Sequence, residues 1–203
     1  MFALVENNQF VKTVSSSKGI ELNGVQYPKT IFTLWTEAER NAIGLYEINV
    51  NSENKKDEAY YINTNITYAF NGGTVTGSYG TSTAKPLTNI LFTEEDEIPS
   101  DRVVGDIKQY GLKEQKISII KQQAAGLLAP TDWHVVKAAE VAEYSVPTDI
   151  STYRAAVRTA SNDMETKINA VADVDALKTL YEYTEQEDET FTRPLGEFPK
   201  EIE

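Results

Sequence analysis

His134 is the only histidine in the chain, and there is no cysteine. An imidazole works as a general base only when another group orients it. Asp132 is near in sequence, but that does not put its carboxylate on the ring, so a structural or exposed His134 is the stronger reading. Glu94-Glu95-Asp96-Glu97 is a dense run of carboxylates. A calcium loop spaces its ligands at alternating positions around a turn glycine; this run lacks both features and reads as a solvated loop. Asp173 and Asp175 frame a helix start, where carboxylates satisfy free N–H groups. Asn71-Gly72-Gly73 joins two strands, whereas a phosphate cradle opens onto a helix. Asn65-Ile66-Thr67 has glycosylation spacing, but MFALVENNQF lacks the basic and apolar regions of a secretory leader. No catalytic residue, metal ligand or cofactor site emerges, and the chain is expected not to be an enzyme.

Composition narrows the partners. The net charge is −12 over 203 residues. Phosphate neutralisation needs clustered Lys and Arg, so no nucleic-acid partner is expected. No apolar run approaches the roughly 20 residues that span a bilayer, so no membrane insertion is expected. Without cysteine, disulfides, thiolate metal sites and thiol nucleophiles are excluded. Synthesis and retention in the cytoplasm, or packing into something assembled there, is the expectation.

The elements change character along the chain. Residues 1–80 read as an antiparallel β domain. Apolar stretches flank Glu6-Asn7-Asn8-Gln9, Asn23-Gly24 and Asn71-Gly72-Gly73, and Asn-Gly supplies the positive φ angles of a hairpin turn. Thr36-Glu37-Ala38-Glu39 is a capping box for a short helix ending before Gly44. Strands are expected at Leu45–Val50 and Ala59–Asn63. Tyr60, Tyr61, Tyr68 and Tyr79 sit in predicted strands, as cross-strand packing or as an outer aromatic surface. Residues 81–108 read as a linker. Residues 109–182 read as a helical domain: one helix that Pro130 ends, a connector with a short strand at Trp133-His134-Val135-Val136, and a long helix from Thr148. The expected core is Leu112, Ile120, Leu127, Trp133, Tyr153, Val157 and Met164. A stripe from Ile150 to Val171 packs either on the preceding helix or against another subunit, which would make a homo-oligomer. A last short helix follows Asp173, and 183–203 is an acidic tail, extended unless a partner holds it. The fold class is α+β: a small antiparallel β domain, then a helical hairpin with a long helix.

One stretch carries a resemblance. Leu127-Leu128, Thr131-Asp132-Trp133, Val135-Val136-Lys137, Val146-Pro147-Thr148-Asp149-Ile150 and Tyr153-Arg154 with Arg158 resemble the C-terminal region of tail-fibre assembly chaperones and related tail proteins of tailed bacteriophages. Tyr27-Pro28, Phe32, Leu34-Trp35-Thr36-Glu37-Ala38-Glu39-Arg40 and Gly44-Leu45-Tyr46 are similar in kind to small phage tail proteins. The resemblance implies no catalytic residue. It implies a virion structural protein of the fibre or baseplate region, made in the host cytoplasm, with other tail or fibre proteins as partners. The alternatives are an assembly chaperone absent from the virion and, further off, a glycan-binding host-recognition module. The long helix after Arg158 and the large β portion favour the structural role. The anchors expected from it are Trp35, Trp133, Tyr153, Arg154 and Arg158. Trp133 is expected to wedge between the flanking helices, so that Trp133→Ala costs roughly 3–5 kcal/mol.

Overall fold

The computed structural model describes residues 1–202, and the class is α+β. The chain divides into two compact units, one over Met1–Thr83 and one from Ala84 onward. The first contains β1 (Phe2–Glu6), β2 (Gln9–Val14), β3 (Ile20–Leu22), β4 (Val25–Tyr27), α1 (Ile31–Leu34), α2 (Glu37–Ala42), β5 (Leu45–Asn51), β6 (Tyr61–Ile62), β7 (Thr67–Asn71) and β8 (Thr74–Ser78). The short β9 (Thr83–Ala84) lies where the units join along the chain. The second contains β10 (Ile90–Leu91), β11 (Ile107–Gln109), α3 (Leu112–Leu128), a 3₁₀ turn at Ala129–Thr131, α4 (Asp132–Glu140), α5 (Thr148–Ala170), α6 (Val174–Thr179), β12 (Thr184–Glu185) and β13 (Phe191–Thr192).

Turn chemistry sets the first unit. In the pairs β1–β2, β3–β4 and β7–β8 the loop residues are Asn7-Asn8, Asn23-Gly24 and Gly72-Gly73. All six residues have positive φ, the type I′ geometry that matches strand twist. The five-stranded sheet has the order β2-β1-β5-β8-β7. It is mixed where the sequence predicted an antiparallel domain, because β5 and β8 run parallel from Ile48↔Val75 to Asn51↔Ser78. Local turn residues fix each hairpin but do not encode which of its edges docks on β5. Alternation splits β1 between two cores. Phe2 and Leu4 join Val14, Leu22, Ile31, Phe32 and Leu45 on one face. Ala3 and Val5 join Ile48 and Val75 on the other. Phe10 of β2 stacks on Tyr68 of β7 with centroids 4.8 Å apart, so the sheet curls until its two edges meet. The expected capping box is present: Glu39 N–H donates to Thr36 Oγ1, and Thr36 N–H to the Glu39 carboxylate. Those bonds, from the backbone first, hold the Glu39 carboxyl below its usual range.

The second unit corrects two expectations. The expected linker, 81–108, is bonded to α3 through its part in this unit. Leu112 and Lys113 N–H donate to the Pro86 and Leu87 carbonyls at 2.9 and 3.1 Å, and Gly111 N–H to Asn89 Oδ1. Free N–H groups of the first turn of α3 are thus taken up by the preceding stretch. A Cβ on Gly111 would fall 2.2 Å from Thr88, so only glycine permits this approach. The acidic tail is also tied down. Lys167 Nζ donates to the Pro194 and Leu195 carbonyls at 2.9 and 3.1 Å, and the Leu195 side chain is buried. Phe198 packs on Ala124, Tyr153 and Val157. Two apolar residues in a charged tail were the signal. Tyr153, Val157, Met164 and Ile168 are buried on α5, so the stripe from Ile150 faces inward, with α3 as its main helical neighbour. Leu112, Ile120, Tyr153, Val157 and Met164 join the core as expected, and Leu127 is half-buried.

Asp96 turns back from the acidic run. It accepts bonds from Lys108 Nζ, from Thr93 N–H at 2.8 Å and from the Thr93 hydroxyl at 3.0 Å. The Lys108 bond chiefly, then those from Thr93, lower its pKa from 3.8 to about 2. A depressed carboxyl pKa stabilises the fold above the unfolded value and loses that contribution as pH falls through the folded one. Lys108→Ala should therefore move the Asp96 titration, followed by carboxyl NMR, up from about 2 towards 3.8, and the β10–β11 hairpin should lose protection at correspondingly higher pH.

Candidate functional site

The corner between α3 and α4 is built on Arg154, which is 6% exposed on α5. Helix α3 ends at Leu128 because Pro130 removes a donor and tightens the chain into a 3₁₀ turn. That leaves carbonyls without helical partners. Arg154 Nη1 donates to Leu128 O at 2.9 Å and to Thr131 Oγ1 at 2.6 Å. Thr131 Oγ1 in turn donates to Leu128 O at 2.8 Å. Nη2 reaches Asp132 Oδ1 at 2.7 Å. One guanidinium thus serves the carbonyl end of α3, where a cation is favoured, and a carboxylate at the amino end of α4, where an anion is favoured. The Asp132 side chain remains 58% exposed, so water shares that charge. Beside Arg154, Tyr153 is buried against α3. Its hydroxyl has no hydrogen-bond partner among the described residues, and burial first, then the nearby Glu201, pushes its pKa up.

Trp133 is not the wedge. Residues 133–136 are helical rather than a strand, and Trp133 is 54% exposed. The physical reason is the register of α4: the half-exposed Asp132 turns its carboxylate to Arg154, and the next residue, about 100° further round the helix, faces solvent. None of the nine residues of α4 is buried. Its surface displays Trp133, Val135 at 44% and Val136 at 54%, and Val141 follows at 46%. Trp133 stacks on His134 at 3.6 Å between centroids. His134 Nδ1 is hydrogen-bonded to the Tyr144 hydroxyl, which makes the lone histidine a brace for this aromatic group. Lys137 Nζ lies 4.3 Å from the Tyr144 ring centroid and 5.8 Å from that of Trp133, close enough for cation–π attraction.

The other sequence candidates separate. Arg158, one turn from Arg154, is exposed and has no ion-pair partner among the described residues. Trp35 is half-buried in the first unit, edge-on to Tyr27 at 5.8 Å, with its carbonyl accepting from Arg40. Tyr60 and Tyr61 are buried, Tyr68 stacks on Phe10, and Tyr79 carries Lys55 over its ring, so these four form no outer aromatic surface. Among the described residues no group of three or more His, Asp or Glu could hold a metal ion, and no helix is long and apolar enough to cross a membrane. Sequence reasoning named Thr131 only as part of the motif and missed that its hydroxyl completes the corner; it missed Val141 and Tyr144 altogether. Nothing in the spacing of Val141 and Tyr144 announced them.

No family model matches the chain, and no curated protein or solved structure matches it either.

Two substitutions separate the corner from the face. Arg154→Met leaves Leu128 O with the Thr131 hydroxyl alone and removes the donor to Thr131 Oγ1 and Asp132, and should cost roughly 2–4 kcal/mol in denaturant unfolding, since bonds to a buried charged group are worth about 1.5–3 kcal/mol each. Trp133→Ala should stay within about 0.5 kcal/mol of the parent, as exposed substitutions do, in place of the 3–5 kcal/mol that a wedge would cost.

Proposed function

We propose that this chain is a non-enzymatic structural protein of a bacteriophage tail, in the fibre or baseplate region, that docks other tail proteins. The observation that carries the docking reading is α4: a nine-residue helix with no buried residue that holds Trp133, Val135 and Val136 in solvent. Helices owe most of their stability to burying an apolar face. A helix kept on the surface by its polar end residue, with its apolar side chains outward, is suited to covering by another protein. Trp and Tyr anchors are enriched where binding energy concentrates, and Trp133 and Tyr144 belong to one group with centroids 6.5 Å apart. The assignment to a tail rests on the likeness of Thr131-Asp132-Trp133 and Tyr153-Arg154 to tail-associated proteins. In this fold those residues are neighbours, with Arg154 bonded to Thr131 and Asp132, which supports treating them as one unit. Each of the two compact units would meet a different partner, and the virion would be the place of residence.

Mass spectrometry of purified virions is the test. The chain should be present in stoichiometric amount, and phage carrying Trp133→Ala should incorporate much less of it although the variant folds. Absence from virions together with co-purification alongside a fibre protein would replace this reading with an assembly chaperone. Normal incorporation of the variant would remove α4 as the docking face.

A further inference from the structure

Two asparagines of the first unit stand apart from the others. Only Asn23 and Asn71 are followed by glycine, and both are exposed. Several other side-chain amides are tied down. Asn63 exchanges two bonds with the Lys56 backbone, Asn54 donates to the Tyr79 carbonyl, Asn51 accepts from Glu53 N–H, and Asn89 accepts from Gly111 N–H. The side-chain amides of Asn23 and Asn71 have no hydrogen-bond partner among the described residues.

A free asparagine amide beside a glycine is open to attack by the chain's own backbone. The nucleophile is the nitrogen of the next residue, and glycine presents it with no side chain in the way. A Cβ on Gly24 or Gly72 would meet nothing within 4 Å, so both turns are open to solvent. Among the described residues no backbone bond occupies the Gly24 N–H. Attack requires rotation about the asparagine Cα–C bond, which carries that nitrogen onto the side-chain carbonyl carbon. What the rotation breaks differs between the two sites. Asn71 is the last residue of β7 and pairs with Thr74 in the five-stranded sheet, so turning it opens a ladder pair. Asn23 lies between β3 and β4, outside the ladder, at φ 51°. Those two strands have three residues each and form a sheet of their own. A lone two-stranded hairpin is marginally stable, and elements of that kind open locally at low cost.

We propose that Asn23 is a self-modification site, where the folded chain converts an asparagine to isoaspartate and aspartate without an enzyme. The Gly24 nitrogen bonds to the Asn23 side-chain carbonyl carbon, and the bond from that carbon to Nδ2 breaks. The proton of the Gly24 N–H goes to the departing nitrogen, which leaves as ammonia, and a five-membered imide remains. One water then opens the ring. Opening at the main-chain carbonyl gives isoaspartate; opening at the side-chain carbonyl gives aspartate. Neither oxidant nor cofactor is needed. The two products act differently on the fold. Aspartate keeps the backbone and tolerates the left-handed region, so the turn survives. Isoaspartate routes the main chain through the former side chain and adds an atom to a turn whose geometry fits two residues of positive φ. The pairing of Leu22 with Val25 then fails. Leu22 is buried in the core over this face of the sheet, and Tyr27 packs against it, so the change reaches the core. The site stands independently of the tail assignment and of the α4 face.

The parent chain, aged in warm and mildly alkaline buffer, is to be peptide-mapped by mass spectrometry, with isoaspartate identified by an isoaspartate-specific methyltransferase. Asn23 should convert at least tenfold faster than Asn65, an exposed asparagine followed by Ile66, and faster than Asn71. In denaturant, where no sheet holds either residue, the Asn23 and Asn71 rates should converge. The fraction carrying isoaspartate should melt below the parent, while Asn23→Asp should melt with it. Conversion of Asn23 no faster than of Asn65, or slower than of Asn71 in the folded chain, would overturn the proposal. An isoaspartate fraction that melts with the parent would overturn the assigned effect on the core.

Discussion

A buried guanidinium governs how the helical unit is assembled. Taking Arg154 out of water costs several kcal/mol unless its donors are satisfied. They are satisfied by groups from three successive pieces of chain: the last carbonyl of α3, the hydroxyl of the 3₁₀ turn and the first carboxylate of α4. The arrangement is sensitive because of that spread. If the turn moves, Arg154 loses several partners together and is left buried and unpaired. Asp132 contributes less than its charge suggests, since water reaches more than half of its side chain and exposed ion pairs are weak. The carbonyl and the hydroxyl lie on the dry side. Tyr153, adjacent to Arg154, and Val157, one turn on, press on α3 from the same helix, so the polar clamp and the apolar contact fix the same two helices.

The first unit depends on a different constraint, the management of sheet edges. An open five-stranded sheet leaves two rows of unpaired backbone groups. Here curvature brings the edge strands β2 and β7 together, and the Phe10–Tyr68 stack joins them. Tyr46 and Phe70 meet inside the same curl at 4.8 Å. The other face is covered by the β3–β4 hairpin and the buried Ile31 and Phe32 of α1. Both faces of β1 are therefore dry, which explains why Phe2, Ala3, Leu4 and Val5 form an uninterrupted apolar run rather than an alternating one.

What was legible in the chain is what local physics decides. The two-residue turns, the Thr36 capping box, the helix stop at Pro130 and the apolar stripe of α5 depend on neighbours a few residues away and could be read directly, whereas whether that stripe faces α3 or another subunit could not. The parallel pairing of β5 with β8 depends on docking between distant segments, and no turn signal carries it. Residues 81–108 looked like a linker because they are polar, yet the Pro86 and Leu87 carbonyls are what the amino end of α3 needs; composition does not report backbone bonding. The tail was misjudged in the same way, since Leu195 and Phe198 count for little in a charged stretch but fill real space in the core. At the site, Arg154 was recognisable as a long cation one turn from Arg158, but only the fold distinguishes the clamped residue from the solvated one.

Trp133 shows why position in a motif and role in a core are separate questions. A tryptophan beside a proline-bounded corner is ordinarily its filler, because no other side chain buries as much area. In this corner a guanidinium bonded to its polar partners joins the pieces of chain that an indole would otherwise have packed between. The same clamp that displaces Trp133 also orders it: Asp132 is tethered, Trp133 is the next residue, and the ring rests on His134, which Tyr144 holds. An exposed aromatic side chain usually loses rotamer freedom when it binds, a cost of roughly 0.5–1.5 kcal/mol. A stacked and braced one has already lost much of it while folding. The polar residues of Thr131-Asp132-Trp133 thus bond to Arg154 and the apolar one faces solvent, the reverse of the usual division, and that reversal leaves a braced aromatic group on the surface.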